Sequence, residues 1–221
     1  MGCVSFLIEV FDVMWDETWL KQYPLLCFKS GQTIISMGEI FSHYYCLRAG
    51  ICARINPTYD GDEVIMQYLH PGDMIGMGLK NFGEESVSEF VARKDCECYQ
   101  IPFEDVEQLL QTDATLCYAV YQNTLLELDF WATSYLAKTL GGGISILCLA
   151  LHTQAKEQRD GTYLVDSMFT NMELSKYCGV HPVSISRFMT QLHHEGIPER
   201  KKDGIHIYDR ERLYDYVKLG K

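Results

Sequence analysis

The sequence predicts an α+β fold in which an N-terminal antiparallel β-roll, a long helix and a C-terminal domain of short helices with a β-hairpin follow one another. Between residues 26 and 101, turns that contain Gly recur roughly every ten residues and separate short runs rich in Ile, Tyr and Val, as antiparallel strands require. Residues 112–140 contain neither Pro nor Gly and are apolar at helical spacing. Shorter helical patterns follow. We therefore predict three parts, residues 1–111, 112–140 and 141–221.

The composition is that of a soluble globular protein. Of the 221 residues, 47% are hydrophobic and 22% are charged, and the length suffices for two modest cores. No run approaches the roughly 18 apolar residues of a membrane span, and the N-terminus lacks a basic leader with a cleavage site. The nine cysteines are scattered and odd in number, which fits thiols in a reducing compartment. We expect a cytoplasmic protein without a membrane partner.

The β-roll is predicted to begin at Leu26, after a short leading helix within residues 1–25. Its turns contain Gly31, Gly38, Gly50, Gly61 and Gly72. Regular short strands with such turns indicate an antiparallel barrel or roll.

The long helix is predicted to begin at Thr112 or Asp113, whose side chains suit an N-cap. One apolar stripe has the alternating steps of four and three residues that are typical of a coiled-coil seam. This seam consists of Cys117, Tyr121, Thr124, Leu128, Trp131 and Tyr135, and a second apolar face runs through Val120, Leu126 and Phe130. One face can meet a partner helix and the other the roll; the alternative is a helix buried within one chain. The helix is expected to end before the glycines 141–143, which would form a hinge.

The segment from Thr170 onward has the pattern of two short helices joined by a tight turn. Thr170 and Glu173 have capping-box spacing at the start of the first helix. Gly179 suits the turn, and Pro182 suits the first position of the second helix. The second helix is predicted to bury Ile185, Phe188, Met189 and Leu192 and to expose Val183, Ser184, Arg187 and Gln191.

A basic turn at Lys201 and Lys202 leads into the alternating residues 205–208, which predict a hairpin directly after these helices. Two helices followed by such a hairpin form a winged helix-turn-helix. Its expected partner is the major groove of double-stranded DNA.

This segment resembles the DNA-binding domain of the Crp–Fnr regulators. The matching residues are Leu174, Gly179, Ser186, Arg187, Leu192, Gly196 and Ile197. The N-terminal half is similar to the family's sensor domain, a cyclic-nucleotide-binding-type β-roll, with glycines at matching places that include Gly76. The resemblance implies a transcription regulator that binds DNA as a parallel homodimer and senses a small effector. RNA polymerase is a further candidate partner.

The exposed edge of the second helix predicts which bases are read. Arg187 is the candidate for a bidentate contact with guanine, the alternative being a phosphate contact. Val183 packs on thymine methyl groups but cannot accept a hydrogen bond from cytosine, so we expect A·T-rich half-sites in an inverted repeat. The predicted DNA-contacting residues are Thr170, Pro182, Val183, Ser184, Ser186, Arg187, Gln191, Lys201 and Lys202.

This edge also resembles the recognition helix of regulators from anaerobes that sense halogenated phenols. The lysine that holds the phenolate in those regulators falls near Leu126 in this chain. That difference argues against the same ligand.

The charge is unevenly distributed along the chain. The net charge is −11, but residues 141–221 carry 11 Lys and Arg against 10 Asp and Glu, whereas residues 1–140 carry 8 against 20. The acidic part would be kept away from the phosphates of DNA. Since the C-terminal part is close to neutral, we expect few phosphate contacts and weak non-specific affinity.

The effector is predicted from departures from the family pattern. Members that bind cyclic AMP hold its ribose with a Glu and its phosphate with an Arg-Ser pair; the matching residues here are Met77, Val87 and Ser88. A buried anion without a cationic partner costs several kcal/mol, so cyclic AMP is not expected. An apolar or aromatic ligand is expected instead, and the alternative is that these side chains only fill the roll. The predicted pocket is formed by Gly76, Met77, Leu79, Val87, Ser88, Phe90, Leu126 and Phe130.

No cofactor is expected, because no residues have the spacing of a metal or iron–sulfur site. Cys3 and Cys27 lie far apart, no Cys-x-x-Cys occurs, and the pair Cys96 and Cys98 is interpreted as core packing. A thiol-redox or metal-responsive regulator of the same architecture remains an alternative. An enzyme built on the β-roll is a second alternative, which no acid–base pair or nucleophile supports; no catalytic residue is predicted.

Overall fold

The structure is a computed structural model that describes residues 15–58, 63–77 and 85–219. The chain forms two compact units, residues 1–127 and residues 128–221, each described by itself below. The division falls within the long helix. The three-part division at residues 111 and 140 therefore stays a prediction.

The first unit is built on two four-stranded antiparallel sheets, as the turn spacing predicts. The strands are β1 (Leu25–Phe28), β2 (Thr33–Ile35), β3 (His43–Ala49), β4 (Cys52–Pro57), β5 (Glu63–Leu69), β6 (Met74–Ile75), β7 (Glu89–Ala92) and β8 (Cys96–Pro102). One sheet has the order β1-β8-β3-β6 and the other β2-β7-β4-β5. The turn glycines Gly31, Gly38, Gly50 and Gly72 all have positive φ, and Gly61 lies outside the described residues.

The inward side chains of both sheets form one core. Its members include Ile35, Leu47, Ile75, Phe90 and Ile101, all at most 3% exposed. Short helices cover the ends of the roll: α1 (Glu17–Leu20), capped by Asp16, and α2 (Phe103–Thr112). The remaining part of the predicted leading helix, residues 1–14, lies outside the described residues.

The long helix α3 (Ala114–Leu136) begins after Asp113. Asp113 is the cap, because its Oδ1 accepts hydrogen bonds from the amides of Thr115 and Leu116, both at 2.9 Å. Thr112 is not the cap of α3, because its hydroxyl donates a hydrogen bond to the carbonyl of Gln108 at 2.8 Å within the last turn of α2. The two residues that the sequence left as alternatives thus end one helix and begin the next.

The helix does not end cleanly at Leu140. A π-helical turn (Ala137–Gly141) extends α3, and α4 (Gly142–Gln154) begins directly after it. Gly142 has a φ of 68°, a value that L side chains rarely adopt, so the chain changes direction at a residue that must be Gly. The sequence predicted a hinge formed by three glycines, whereas in the structure the chain changes direction at one of them, Gly142.

Residues 114–154 are long and apolar enough to cross a bilayer by length and composition alone, since a stretch of 18 residues within them has a mean hydropathy of 1.4. The sequence predicts no such segment, because polar residues such as Gln122, Glu127 and Lys138 interrupt its apolar runs. Core helices of soluble proteins share this length and composition.

The rest of the second unit is a small antiparallel sheet surrounded by helices. Its elements are β9 (Lys156–Glu157), β10 (Tyr163–Asp166), α5 (Asn171–Cys178), α6 (Pro182–His194), β11 (Pro198–Lys201), β12 (Gly204–Ile207) and α7 (Arg210–Leu219). The sheet order is β11-β12-β10-β9. Leu147 and Leu151 of α4 are fully buried in this unit together with Leu174 and Ile185.

Candidate functional site

Helices α5 and α6 form the predicted helix-turn-helix. The hydroxyl of Thr170 accepts from the amide of Glu173 at 3.2 Å and caps α5. Gly179 ends α5 in the left-handed region, with a φ of 64° and a ψ of 37°. His181 Nδ1 then accepts from the amide of Val183 at 3.3 Å, and Pro182 opens α6 as predicted. Thr170 is thus engaged in a cap, although its side chain remains exposed.

Helix α6 presents one buried and one exposed face. Ile185, Met189 and Leu192 are buried, whereas Val183 is 70% exposed and Arg187 is also exposed. The Arg187 guanidinium lies 5.3 Å from the ring centre of its neighbour Phe188. Within the described residues Arg187 has no hydrogen bond or ion pair. Its five N–H donors are therefore available to a partner.

The other predicted contact residues on α6 differ in accessibility. Ser186 and Gln191 are exposed, while Pro182 and Ser184 are half-buried. Gln191 donates to the hydroxyl of Tyr216 at 3.4 Å, a long bond that leaves its carbonyl oxygen unused. The structure therefore brings Val183, Ser186, Arg187 and Gln191 to one exposed surface, with Ser184 at its margin.

The hairpin of β11 and β12 is the predicted wing, and its cations differ in role. Lys201 donates to the Tyr208 hydroxyl at 2.8 Å and lies 3.2 Å from the Glu199 carboxylate, so its charge is partly neutralised. Lys202 is exposed at the tip. Arg200 donates to the carbonyl of Phe169 at 3.2 Å and to Asn171 at 3.1 Å. Arg200 therefore holds the wing against the start of α5.

In the first unit the predicted effector residues are placed unevenly. Phe90 and Ser88 are buried, Met77 and Leu126 are half-buried, and Val87 is 45% exposed. At Gly76 a Cβ would come within 2.9 Å of Phe41 Cε2, so this position leaves no room for a side chain. Leu79 lies outside the described residues, and Phe130 is half-buried in the second unit.

The sequence analysis missed a cation beside Ser88. Arg54 Nε donates to Ser88 Oγ at 2.9 Å. Arg54 shares its face of β4 with Cys52, a fully buried core residue, because side chains two apart on a strand point the same way. This alternation of side chains along β4 is the feature of the sequence that could have identified Arg54 as an inward-facing cation. The argument that this part of the roll lacks a cation is therefore wrong.

Two further polar residues, Gln67 and Glu127, lie near Arg54 in the first unit. Gln67 is the cross-strand partner of Arg54 on β5, and its amide donates to the Glu127 carboxylate of α3 at 3.2 Å. Burial raises the pKa of Glu127 above its usual value, although the Gln67 hydrogen bond and the charge of Arg54 oppose that shift. Burial likewise lowers the pKa of Arg54.

The core cysteines are poor redox sensors. Burial raises the pKa of the Cys46 thiol to about 12 and that of Cys96 to about 11, and it also raises the pKa of Cys52 and Cys98. A thiol with a raised pKa holds little of the reactive thiolate near neutral pH. Among the described residues, no group of three or more His, Cys, Asp or Glu is placed to hold a metal.

The seam of α3 is accessible within the single chain. Cys117 and Thr124 are exposed, as are Tyr121 (56%), Leu128 (65%) and Tyr135 (71%), and Trp131 is half-buried. On a flanking face of the helix, Leu116 and Asn123 are buried. Within the described part of the chain, no element therefore covers the apolar face of α3 that contains the seam.

Comparisons with known proteins agree with this architecture. Residues 25–113 match the family model described as the cyclic nucleotide-binding domain, and residues 145–216 match the Crp-like helix-turn-helix domain. The cAMP-activated global transcriptional regulator CRP of Salmonella typhimurium is 24% identical over 198 residues, which cover 87% of this chain and 93% of the relative. The transcriptional activator protein anr of Pseudomonas aeruginosa is 22% identical over 213 residues, covering 95% and 85%.

Solved structures show the same fold. FixK2 from Bradyrhizobium japonicum superimposes with a TM-score of 0.72 at 18% identity, over 88% of this chain and 96% of the other. A structure described as OCPA complexed CprK gives a TM-score of 0.63 at 20% identity, over 88% and 91%.

Proposed function

Since the chain belongs to the Crp–Fnr family of transcription regulators, we propose that it binds an inverted-repeat, A·T-rich operator as a homodimer and that a small effector in the β-roll controls this binding. The observation that carries the proposal is the exposed edge of α6, where Arg187 has no hydrogen-bond or ion-pair partner among the described residues and lies on the same surface as the apolar side chain of Val183.

The chemistry of this edge supports A·T-rich half-sites with one guanine. A guanidinium forms two hydrogen bonds with the O6 and N7 atoms of guanine, and an exposed Val packs on the methyl group of thymine. The wing supplies few additional charges, since Lys201 is paired and Arg200 is bound to Phe169 and Asn171. Affinity therefore depends on base contacts and on the dimer more than on phosphate contacts.

The exposed seam of α3 supports the homodimer. Apolar residues at alternating steps of four and three pack against the same residues of a second copy in a parallel coiled coil. Such a dimer presents two recognition helices on one face, which requires a twofold-symmetric operator. RNA polymerase is the further partner that this regulator would meet at a promoter.

Control by an effector requires that the ligand bind one arrangement of the dimer more tightly than the other. A ligand with equal affinity for both arrangements shifts nothing, and a difference of roughly ten-thousandfold inverts a 1:99 population. Known relatives differ in what they sense: one is described as cAMP-activated and another was solved with OCPA. The effector of this chain therefore has to be inferred from the residues of its own β-roll.

The operator prediction is tested by selecting bound sequences from random double-stranded DNA with the full chain. We expect enrichment of an inverted repeat with A·T-rich half-sites whose centres lie about one helical turn, roughly 34–36 Å, apart. Enrichment of a single unrepeated half-site would contradict the homodimer, and G·C-rich half-sites would contradict the role of Val183.

Cyclic AMP is expected not to bind. Met77 offers no acceptor where cyclic-AMP-binding relatives hold the ribose with Glu, and a ribose hydroxyl buried without its partner costs about 1–3 kcal/mol. Val87 adds no charge, and Asn56 fixes its backbone by donating to the Val87 carbonyl at 3.0 Å. Equilibrium dialysis with labelled cyclic AMP should show no retention, whereas micromolar affinity would overturn this part of the proposal.

A further inference from the structure

The β-roll contains a guanidinium, that of Arg54, whose hydrogen-bond donors are only partly engaged within the described residues. Arg54 is held through Nε by Ser88, which is 1% exposed. Among the described residues, neither terminal nitrogen of Arg54 has an acceptor within hydrogen-bonding distance. A half-buried guanidinium with its outer edge unused is an unusual arrangement, because buried cations are normally paired. The Ser88 hydrogen bond fixes the side chain, so that edge is preorganised.

The strand pairing places the Arg54 side chain among groups of different character. Its cross-strand partner on β7 is Phe90, which is 3% exposed, and its partner on β5 is Gln67. The register of β4 and β5 shifts directly after Arg54, between Arg54 and Ile55. Such β-bulges re-aim side chains and occur often beside functional sites. Arg54 therefore has an aromatic wall on one side and a polar amide on the other.

Helix α3 contributes a second unsatisfied group within the same unit. Asn123 is 8% exposed, and its Oδ1 has no hydrogen-bond partner within the described chain. Asn123 precedes Glu127 by one helical turn, so both lie on the same face of α3, and Glu127 is bonded to Gln67 at 3.2 Å. A buried acceptor without a donor costs about 1–3 kcal/mol unless a ligand or water supplies the donor.

We propose that Arg54 binds the anionic group of the effector and that the effector is an aromatic carboxylate. This inference deepens the proposed function and rests on it. A carboxylate matches the two terminal nitrogens of a guanidinium in a bidentate pair, and Phe90, the cross-strand neighbour of Arg54 on β7, supplies an apolar wall for the ring. One cation with Glu127 nearby favours a singly charged group over a phosphate monoester. Arg54 thus replaces the cation that the family's pattern has at the position of Val87.

The test uses the full chain and pairs of small aromatic carboxylates with their neutral carboxamides, such as phenylacetate with phenylacetamide and benzoate with benzamide. Binding is measured by thermal shift and by calorimetry. We expect at least one carboxylate to bind and its amide to bind at least tenfold more weakly. In Arg54→Gln that carboxylate should lose at least tenfold in affinity, and Arg54→Lys should retain an intermediate affinity. Arg48→Gln is the matched control, because Arg48 pairs on the surface with Glu97 at 3.0 Å.

Three results would overturn the assignment: no binding of any carboxylate, equal binding of the amides, or carboxylate binding that persists in Arg54→Gln. Binding of cyclic AMP that depends on Arg54 would show that the cation serves a phosphodiester instead. A melting curve for each variant separates loss of binding from loss of folding. Failure of the proposed function is seen separately, since it removes operator selection by the unmodified chain, whereas failure of this inference leaves that selection unchanged.

Discussion

Arg187→Ala is expected to abolish the preference of the protein for its operator while leaving its fold intact. The loss of a bidentate contact with guanine costs about 1–3 kcal/mol, roughly tenfold to a hundredfold in affinity, for each half-site. The side chain is exposed and has no hydrogen bond or ion pair within the described residues, so its removal leaves no buried group unsatisfied. The measurement is a mobility shift with the selected operator and with a scrambled sequence of the same composition.

The matched control is Arg159→Ala, which removes the same charge from an exposed position in the turn between β9 and β10. A purely electrostatic role for Arg187 would weaken operator and scrambled DNA equally and change the salt dependence. A role in base reading weakens the operator alone. If the enriched sequence is the same for Arg187→Ala as for the unmodified chain, Arg187 does not read bases.

The exposed surface of α6 was predictable because it depends on interactions between residues that are close together in the sequence. The cap at Thr170, the turn at Gly179 and the first helical position of Pro182 involve residues two to four apart, and the structure confirms all three. The buried and exposed faces of α6 follow from helical spacing alone. Phe188 is the partial exception: it is half-buried, and its ring lies 2.9 Å from where a Cβ on Gly143 would be.

The environment of Arg54 was not predictable in the same way. Its neighbours Ser88, Gln67 and Phe90 come from strands far along the chain, and their register includes a bulge that no local pattern fixes. The sequence analysis compared only the positions where the family holds its ligand and therefore found no cation. Alternation with Cys52 places Arg54 on the inward face of β4, but the neighbours that fix its environment are defined only when the strands are paired.

The π-helical turn at 137–141 was missed for a related reason. Lys138 lies in this turn, and its Nζ is 3.0 Å from where a Cβ on Gly179 would be. Packing within the second unit therefore shapes the turn, together with the left-handed φ of Gly142. Gly143 of α4 lies close to the Phe188 ring of α6, and Lys138 of the π-helical turn lies close to Gly179, which ends α5.

Leu128→Glu is expected to dissociate the homodimer and, with it, operator binding. Leu128 is 65% exposed in the single chain and lies in the middle of the predicted seam. The substitution removes the burial of two Leu side chains, about 3 kcal/mol or more in total, and places two carboxylates opposite each other. We expect the dimer dissociation constant to rise at least about a hundredfold, as measured by analytical ultracentrifugation. Leu136→Glu is the control, because Leu136 is also exposed, at 52%, but lies off the seam.

Cys117 provides a direct test of the orientation of the two helices. It is exposed and occupies the first position of the seam. In a parallel, in-register dimer the two Cys117 thiols face each other, so mild oxidation should give a disulfide-linked dimer, whereas an antiparallel pair would hold them at opposite ends. Cys117→Ser should abolish this product, and replacement of the exposed Cys27 should not. Absence of the Cys117 product from a protein that is dimeric in solution would contradict the parallel, in-register seam.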